Sequence, residues 1–216
     1  MIPVNVLINR MKIIDLTHTI SHGMPVFPGE NEPSIVRDIL PDDVGYVTHR
    51  LETNMHTGTH MDAPYHVKSD SLTIDKFPVE LFSGSAVVID VRGIYSVKMQ
   101  PGWELIFKNY KIVLFCTGWS SEWGKENYYY NYPEFDIEIA ESLVNCGVRI
   151  AGFDSPSPDK DPFAFHTVFL KDERFLVENL TNLDKLTGKE NIEFMAFPLK
   201  IEAEASLIRA VAMIKE

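Results

Sequence analysis

Three of the seven histidines in this 216-residue chain, with one aspartate, fall inside the eleven residues 56–66, HTGTHMDAPYH. Imidazole and carboxylate are the side chains that hold Zn2+ or Mn2+. His56 and His60 would share a face of a helix, but Gly58, its two flanking threonines and Pro64 make this stretch a poor helix. In an extended segment His60 and Asp62 share a face, because the period is two. A turn at Thr57-Gly58-Thr59 then folds His56 back toward them. On this reading two imidazoles and a carboxylate converge on one point as a metal-ligand set; a chance cluster of solvated loop histidines is the alternative. His66 lies off that spacing, and an ordinary histidine pKa near ~6.5 suits it to carry protons close to neutral pH. H-E-x-x-H, G-x-S-x-G and G-x-G-x-x-G are all absent, which argues against zinc-protease, serine-elbow and dinucleotide-binding chemistry.

The elements that must position these groups are mostly strands. Strand-type runs fall at 12–17, 47–54, 86–91, 112–116, 148–153, 175–178, 193–201 and 207–214. AVVIDV (86–91) and KIVLFC (111–116) are nearly all apolar, as interior strands covered on both faces are. VTHRLETN (47–54) alternates and suits a wetter edge. The clearest helix begins with Asp136 as N-cap and stops at Gly147, with Ile137, Ala140 and Val144 on one face. Shorter helices are expected at 78–82 and 163–170. Strands outnumbering helices predict an α/β fold: a single mixed domain in a layered β/β/α arrangement with few helices.

A formal net charge of −11 with no basic block argues against nucleic-acid and anionic-membrane partners. The longest apolar run, Ile112–Cys116, is far short of the roughly 18 residues of a membrane span. MIPVNVLINRMKIID lacks the layout of a signal peptide, so the cytoplasm is the expected compartment. Residues 1–10 read as an N-terminal extension before a domain over 11–216, with Met11 as an alternative start. Cys116 and Cys146 lie in apolar stretches without C-x-x-C spacing and read as reduced, buried thiols with no catalytic role.

HTGTHMDAPYH resembles the H-x-G-T-H-x-D-x-P-x-H signature of the cyclase-like metal-dependent hydrolases, the family that includes bacterial kynurenine formamidase and isatin hydrolase. DLTHTISHGMPVFPGE (15–30), TGW (117–119), GFDSPSPD (152–159), HTVFLKDERFLVENLTNLD (166–184) and RAVAMI (209–214) are similar to further stretches of that family. The resemblance spans nearly all of 12–214. It implies a pair of Zn2+ ions per chain, or Mn2+. His56, His60 and Asp62 would hold one ion, and Asp62 would bridge to a second held by His166 and Glu178. His66 would be the catalytic acid/base, and Phe27 would flank the substrate. It implies hydrolysis of a small-molecule amide C–N bond, with N-formylkynurenine the foremost substrate and an isatin-like cyclic amide, lactone or ester the runner-up. It also implies a homodimer or larger homo-oligomer. A non-catalytic metal- or small-molecule-binding module stands as the alternative of another class.

The chain departs from the family in two places. EASLIRAV (204–211) lacks the Gly and Pro of the usual turn before Arg209, and Phe27 stands where the formamidases often carry Trp. Read residue by residue, Glu178 among apolar neighbours needs a partner or a metal, and is otherwise an exposed edge residue. His166 is either a ligand or a core histidine. Phe27 either touches substrate or packs beneath its turn. Asp154 reads as loop support, and His18, His22 and His49 as surface or supporting residues. Trp119 and Trp123 read as packing or subunit contacts. The YYYNYP run from Tyr128 reads as an exposed loop that another subunit covers.

Overall fold

Ile112–Cys116 is apolar throughout because it runs through the middle of a sheet covered on both faces. All five of its side chains are buried in the computed structural model, which describes residues 11–39 and 45–215. Ile112, Leu114 and Cys116 enter one core, with Met61, Val177 and Phe194. Val113 and Phe115, pointing the other way, enter a second with Phe153, Leu143 and Phe165.

In chain order the strands are β1 (Met11–Asp15), β2 (Ser34–Ile39), β3 (Thr48–Glu52), β4 (His60–Asp62), β5 (Ser83–Asp90), β6 (Ser96–Val97), β7 (Ile112–Cys116), β8 (Glu134–Phe135), β9 (Ile150–Phe153), β10 (Phe175–Glu178), β11 (Ile192–Pro198) and β12 (Ala205–Lys215). The main sheet has eight strands in the order β1-β12-β11-β5-β7-β9-β10-β4, and β12 also pairs with β4. The sheet therefore curls closed like a barrel, which removes most of its open edge. In this sheet β5, β7, β9 and β10 run parallel, and its other pairings are antiparallel. The helices are α1 (Trp103–Phe107), α2 (Ile137–Asn145) and α3 (Ala164–Phe169). They bury Phe107, Leu143 and Phe169 in the second core, outside the barrel. The fold is a mixed α/β domain with few helices, as its pattern predicts.

The termini of α2 follow the sequence rules. Asp136 Oδ1 accepts from the Glu138 amide at 3.1 Å, and Gly147 stops the helix at φ +76. Its buried stripe is Ile139, Ala140 and Leu143, rotated from the expected face, and Ile137 is 40% exposed. Among the described residues β3 pairs only with β2, in a separate ribbon, and is largely exposed, in keeping with its alternating pattern. Cys116 is buried, which pushes its thiol pKa up to about 12; Cys146 is half-buried. The 1–10 extension lies outside the described residues.

The tyrosine run is not the exposed loop expected. Tyr128, Tyr129 and Tyr132 are buried, and only Tyr130 is open to solvent. Each buried hydroxyl finds an acceptor: Asn179 Oδ1 at 2.9 Å, the Pro25 carbonyl at 3.1 Å and the Asp159 carbonyl at 3.0 Å, respectively. A satisfied hydroxyl makes tyrosine an interior residue, and pattern reading cannot see those partners.

Gly152 on β9 gives a test of the core. A Cβ there would stand 2.6 Å from Leu114 Cδ2 and 2.9 Å from Leu180 Cδ1, both on fully buried side chains. Gly152→Ala is expected to destabilise the protein by ~1–3 kcal/mol, read as a lower urea midpoint at unchanged slope.

Candidate metal centre

The 56–66 segment folds as its composition demands. Gly58 turns the chain at φ +64, a conformation that strains residues carrying a Cβ. β4 follows, and alternation decides its faces. Met61 enters the inner core, so His60 and Asp62 face outward, toward α3. Across the ladder His60 pairs with Glu178 and Met61 with Val177, itself an inner-core residue. Glu178 therefore emerges beside His60, and α3 brings His166 over the same face.

The side chains close on one point. Asp62 Oδ1 lies 2.9 Å from His56 Nδ1 and 3.4 Å from His60 Nε2, while its Oδ2 lies 3.9 Å from His166 Nε2. Glu178 spans the same gap, with Oε1 3.2 Å from His166 Nε2 and Oε2 3.4 Å from His60 Nε2. The donor atoms of His60, Asp62 and Glu178 lie within 4.8 Å of one another, as do those of His56, Asp62 and His66; Asp62 belongs to both groups.

Three of the four histidines are anchored through their far nitrogens. His60 Nδ1 donates to the Gly58 carbonyl at 2.9 Å; His166 Nδ1 meets Asp159 Oδ1 at 2.6 Å; His56 Nε2 stands 3.3 Å from Glu204 Oε1. A carbonyl only accepts, so His60 Nδ1 carries a proton and Nε2 is the nitrogen turned toward the carboxylates. Such anchoring is what orients metal-bound imidazoles. His66 differs. Its ring stands 4.4 Å from that of His56 and 6.0 Å from that of His166, and among the described residues it has no hydrogen-bond partner.

Both Asp62 oxygens, Glu178 Oε1 and His60 Nε2 are buried without an aligned hydrogen bond. Each such group costs ~1–3 kcal/mol when nothing satisfies it. Lone pairs facing lone pairs in this way are satisfied together by a cation, and the mixed nitrogen and oxygen donor set suits Zn2+ or Mn2+. These residues fit a metal. Without one, protons take its place. Burial opposes charge on His56, but the Asp62 carboxylate outweighs it and raises the pKa to about 11. Burial likewise opposes charge on His166, yet Asp159 and Glu178 raise its pKa to about 10. Burial works against ionised Asp62 and Glu178 too, and the neighbouring histidines still hold both low.

A pH dependence follows, with a definite sign. The two histidines have folded pKa values above the ordinary 6.5, so the stability they give the metal-free protein is fully present below that pH. It is lost as pH rises through about 10 and 11. Against burial, Asp62 and Glu178 raise the pKa of His60 as well; metal must displace these protons, so loading at pH 7 is expected to release about two to three per chain. Calorimetric titration in two buffers of different ionisation enthalpy measures that number.

The cluster forms the floor of a cavity of about 360 Å³. Phe27 lies on its wall, edge to face with Tyr129 at 6.0 Å, and Phe163 lines it too. Sequence reasoning missed Tyr129, Asp159, Asn179, Glu204 and Glu30. Asn179 locks the turn, its Nδ2 donating to the Gly58 carbonyl at 3.0 Å and its own carbonyl accepting from Thr59 Oγ1 at 2.6 Å. Glu204 comes from the departure at 204–211: where a Gly/Pro turn was expected, β12 runs on beside β4. Asp154 is the expected loop anchor, holding the Thr117 and Gly118 amides at 2.7 and 2.9 Å. His18 stacks on Trp123 at 4.0 Å, and His22 and His49 take no part in the cluster.

The family described as putative cyclase matches residues 14–160. Kynurenine formamidase of Erythrobacter litoralis is 30% identical over 215 residues, covering 94% of each chain. That of Bacillus cereus is 29% identical over 92% of this chain and 95% of its own. Among solved structures, isatin hydrolase A of Labrenzia aggregata superposes with a TM-score of 0.82 at 25% identity, over 95% of this chain and 94% of that one. Isatin hydrolase A of Ralstonia solanacearum gives 0.83 at 26%, over 95% and 92%.

Proposed function

This chain belongs to the putative cyclase family, and from that premise we propose that it is a metal-dependent hydrolase of small-molecule amide C–N bonds. Its foremost substrate is an N-formyl arylamine such as N-formylkynurenine. The observation that supports this most is the contrast among the histidines: three anchored rings turn their other nitrogens to Asp62 and Glu178, and a fourth, His66, stands beside them unanchored. His56, His60 and Asp62 would hold one cation, and Asp62, His166 and Glu178 a second.

When bound, Zn2+ or Mn2+ supplies Lewis acidity, lowering the pKa of water from 15.7 toward roughly 7 and polarising a carbonyl. The chain's own residues do the rest. Asp159, Gly58 and Glu204 fix the tautomer and tilt of the three ligand histidines. Desolvation in the pocket lowers the pKa of His66 against the pull of Asp62, which favours the neutral, proton-accepting ring. It takes a proton from the attacking water at a ring nitrogen, then gives it to the departing amine nitrogen as the C–N bond breaks. Phe27, Tyr129 and Phe163 offer flat apolar surface to an aryl ring.

An isatin-like lactam presents the same aryl amide, and the likeness to isatin hydrolases at 25% and 26% identity favours it as the second reading. The deciding experiment offers N-formylkynurenine and isatin, side by side, to protein loaded with Zn2+ or Mn2+. Faster release of kynurenine supports the first reading; turnover of neither substrate, nor of simple lactones and esters, leaves a binding module. A cytoplasmic homodimer goes with the family resemblance, and sedimentation of the purified protein reads that assembly.

A further inference from the structure

The turn that carries Phe27 brings a second group to the pocket, one that hydrolysis itself leaves without a task. In Phe27-Pro28-Gly29-Glu30 the Glu30 amide donates to the Phe27 carbonyl at 3.0 Å, and Gly29 takes the third position at φ +97. Both ends of the turn, Phe27 and Glu30, line the cavity. Glu30 Oε2 is shielded from solvent and has no hydrogen-bond partner. It belongs to neither group of donor atoms around Asp62. Among the described residues that line the cavity there is no lysine or arginine, so the histidines are its only cationic neighbours there. Three of them already face Asp62, Glu178 or Glu204.

A shielded carboxylate oxygen without a hydrogen-bond partner is costly. Burial raises the pKa of Glu30, against the pull of His56 and His60. Aromatic rings next to a carboxylate are the surroundings that hold an organic cation, through ring quadrupole and charge together, and Phe27 and Tyr129 supply the rings.

We propose that Glu30 is the receptor for an ammonium group on the substrate, a specificity-determining carboxylate that stands outside the metal cluster. This rests on the formamidase reading and deepens it. The formamide of an aryl-keto amino acid carries an α-ammonium remote from its scissile bond, whereas an isatin-like lactam carries none. Glu30 thus selects the open-chain amino-acid substrate from the broader class of aryl amides.

The test compares metal-loaded wild type with Glu30→Gln on two substrates: N-formylkynurenine and its counterpart lacking only the amino group. Wild type prefers the amino compound, and in Glu30→Gln the ratio of the two kcat/KM values falls by about tenfold or more, as expected when a polar group loses its partner. Glu30→Asp, which keeps the charge, restores part of the ratio. An equal ratio in wild type and Glu30→Gln overturns the proposal. A second measurement needs no turnover: calorimetric binding of kynurenine against its deaminated form. If wild type cleaves neither substrate, the formamidase reading fails; kynurenine preference that disappears in Glu30→Gln still sustains the ammonium site, and preference that persists there overturns it.

Discussion

Asparagine in place of Asp62 is expected to prevent stable metal loading and to lower kcat/KM by ~10³-fold or more. Asp62 is the one residue common to both groups of candidate donor atoms, and it is buried with both oxygens unsatisfied by the protein. Asparagine preserves its shape but loses its charge, and replaces one carboxylate oxygen by an amide NH2 that cannot bind a cation. Cations in such a site supply several kcal/mol of stabilisation to the transition state, and each 1.36 kcal/mol is a factor of ten. Elemental analysis of the purified variant reads the metal directly. Thermal unfolding gives an independent check, because a ligand at 1,000 times its Kd stabilises by about 4 kcal/mol. Added Zn2+ therefore raises the Tm of the wild type and leaves that of Asp62→Asn nearly where it was. A variant that keeps its full complement of metal together with its activity would refute the bridging role.

The site was legible in the sequence where its residues are close together, and illegible where they are not. His60 and Asp62 follow from strand alternation alone, and Gly58 from the turn that must precede them. His166 and Glu178 lie more than a hundred residues away, and only the family resemblance drew them in; β4–β10 pairing is what sets Glu178 beside His60. Asp159, Glu204 and Asn179 had no local signal. Each acts on a group far along the chain, as Asn179 does on the Gly58 carbonyl 121 positions away. The fold shows the same division. Apolar runs such as Ile112–Cys116 and Phe175–Glu178 declare themselves, while the two-residue strands β6 and β8 lack the length for any periodicity. β2 and α1 were missed as well, the first with no buried residue and the second with one. Helix α2 was found but its buried stripe was misjudged, because the core it meets, not its own pattern, selects the face.

His66→Ala is expected to lower kcat by ~10²–10⁴-fold, the usual worth of a positioned acid and base, while leaving the metal content intact. Both halves are needed, because geometry admits a rival role. The donor atoms of His66, His56 and Asp62 lie within 4.8 Å of one another, close enough for His66 to be a ligand itself. Anchoring argues against that. Every other histidine of the cluster has its far nitrogen held by a carbonyl or carboxylate, whereas the ring of His66 is free to turn between an attacking water and a leaving nitrogen. The pH profile separates the roles further. A base must be neutral to act, and the pKa of His66 lies below the ordinary histidine value. Wild-type kcat/KM should therefore fall on the acid side below pH ~6.5, and that limb should vanish from the residual activity of His66→Ala. Free imidazole in the assay should restore part of the rate, since a mobile base can enter the space the ring vacates. Loss of an ion from the variant, in step with its loss of activity, would instead make His66 a ligand and send the search for the proton carrier to another group in the pocket.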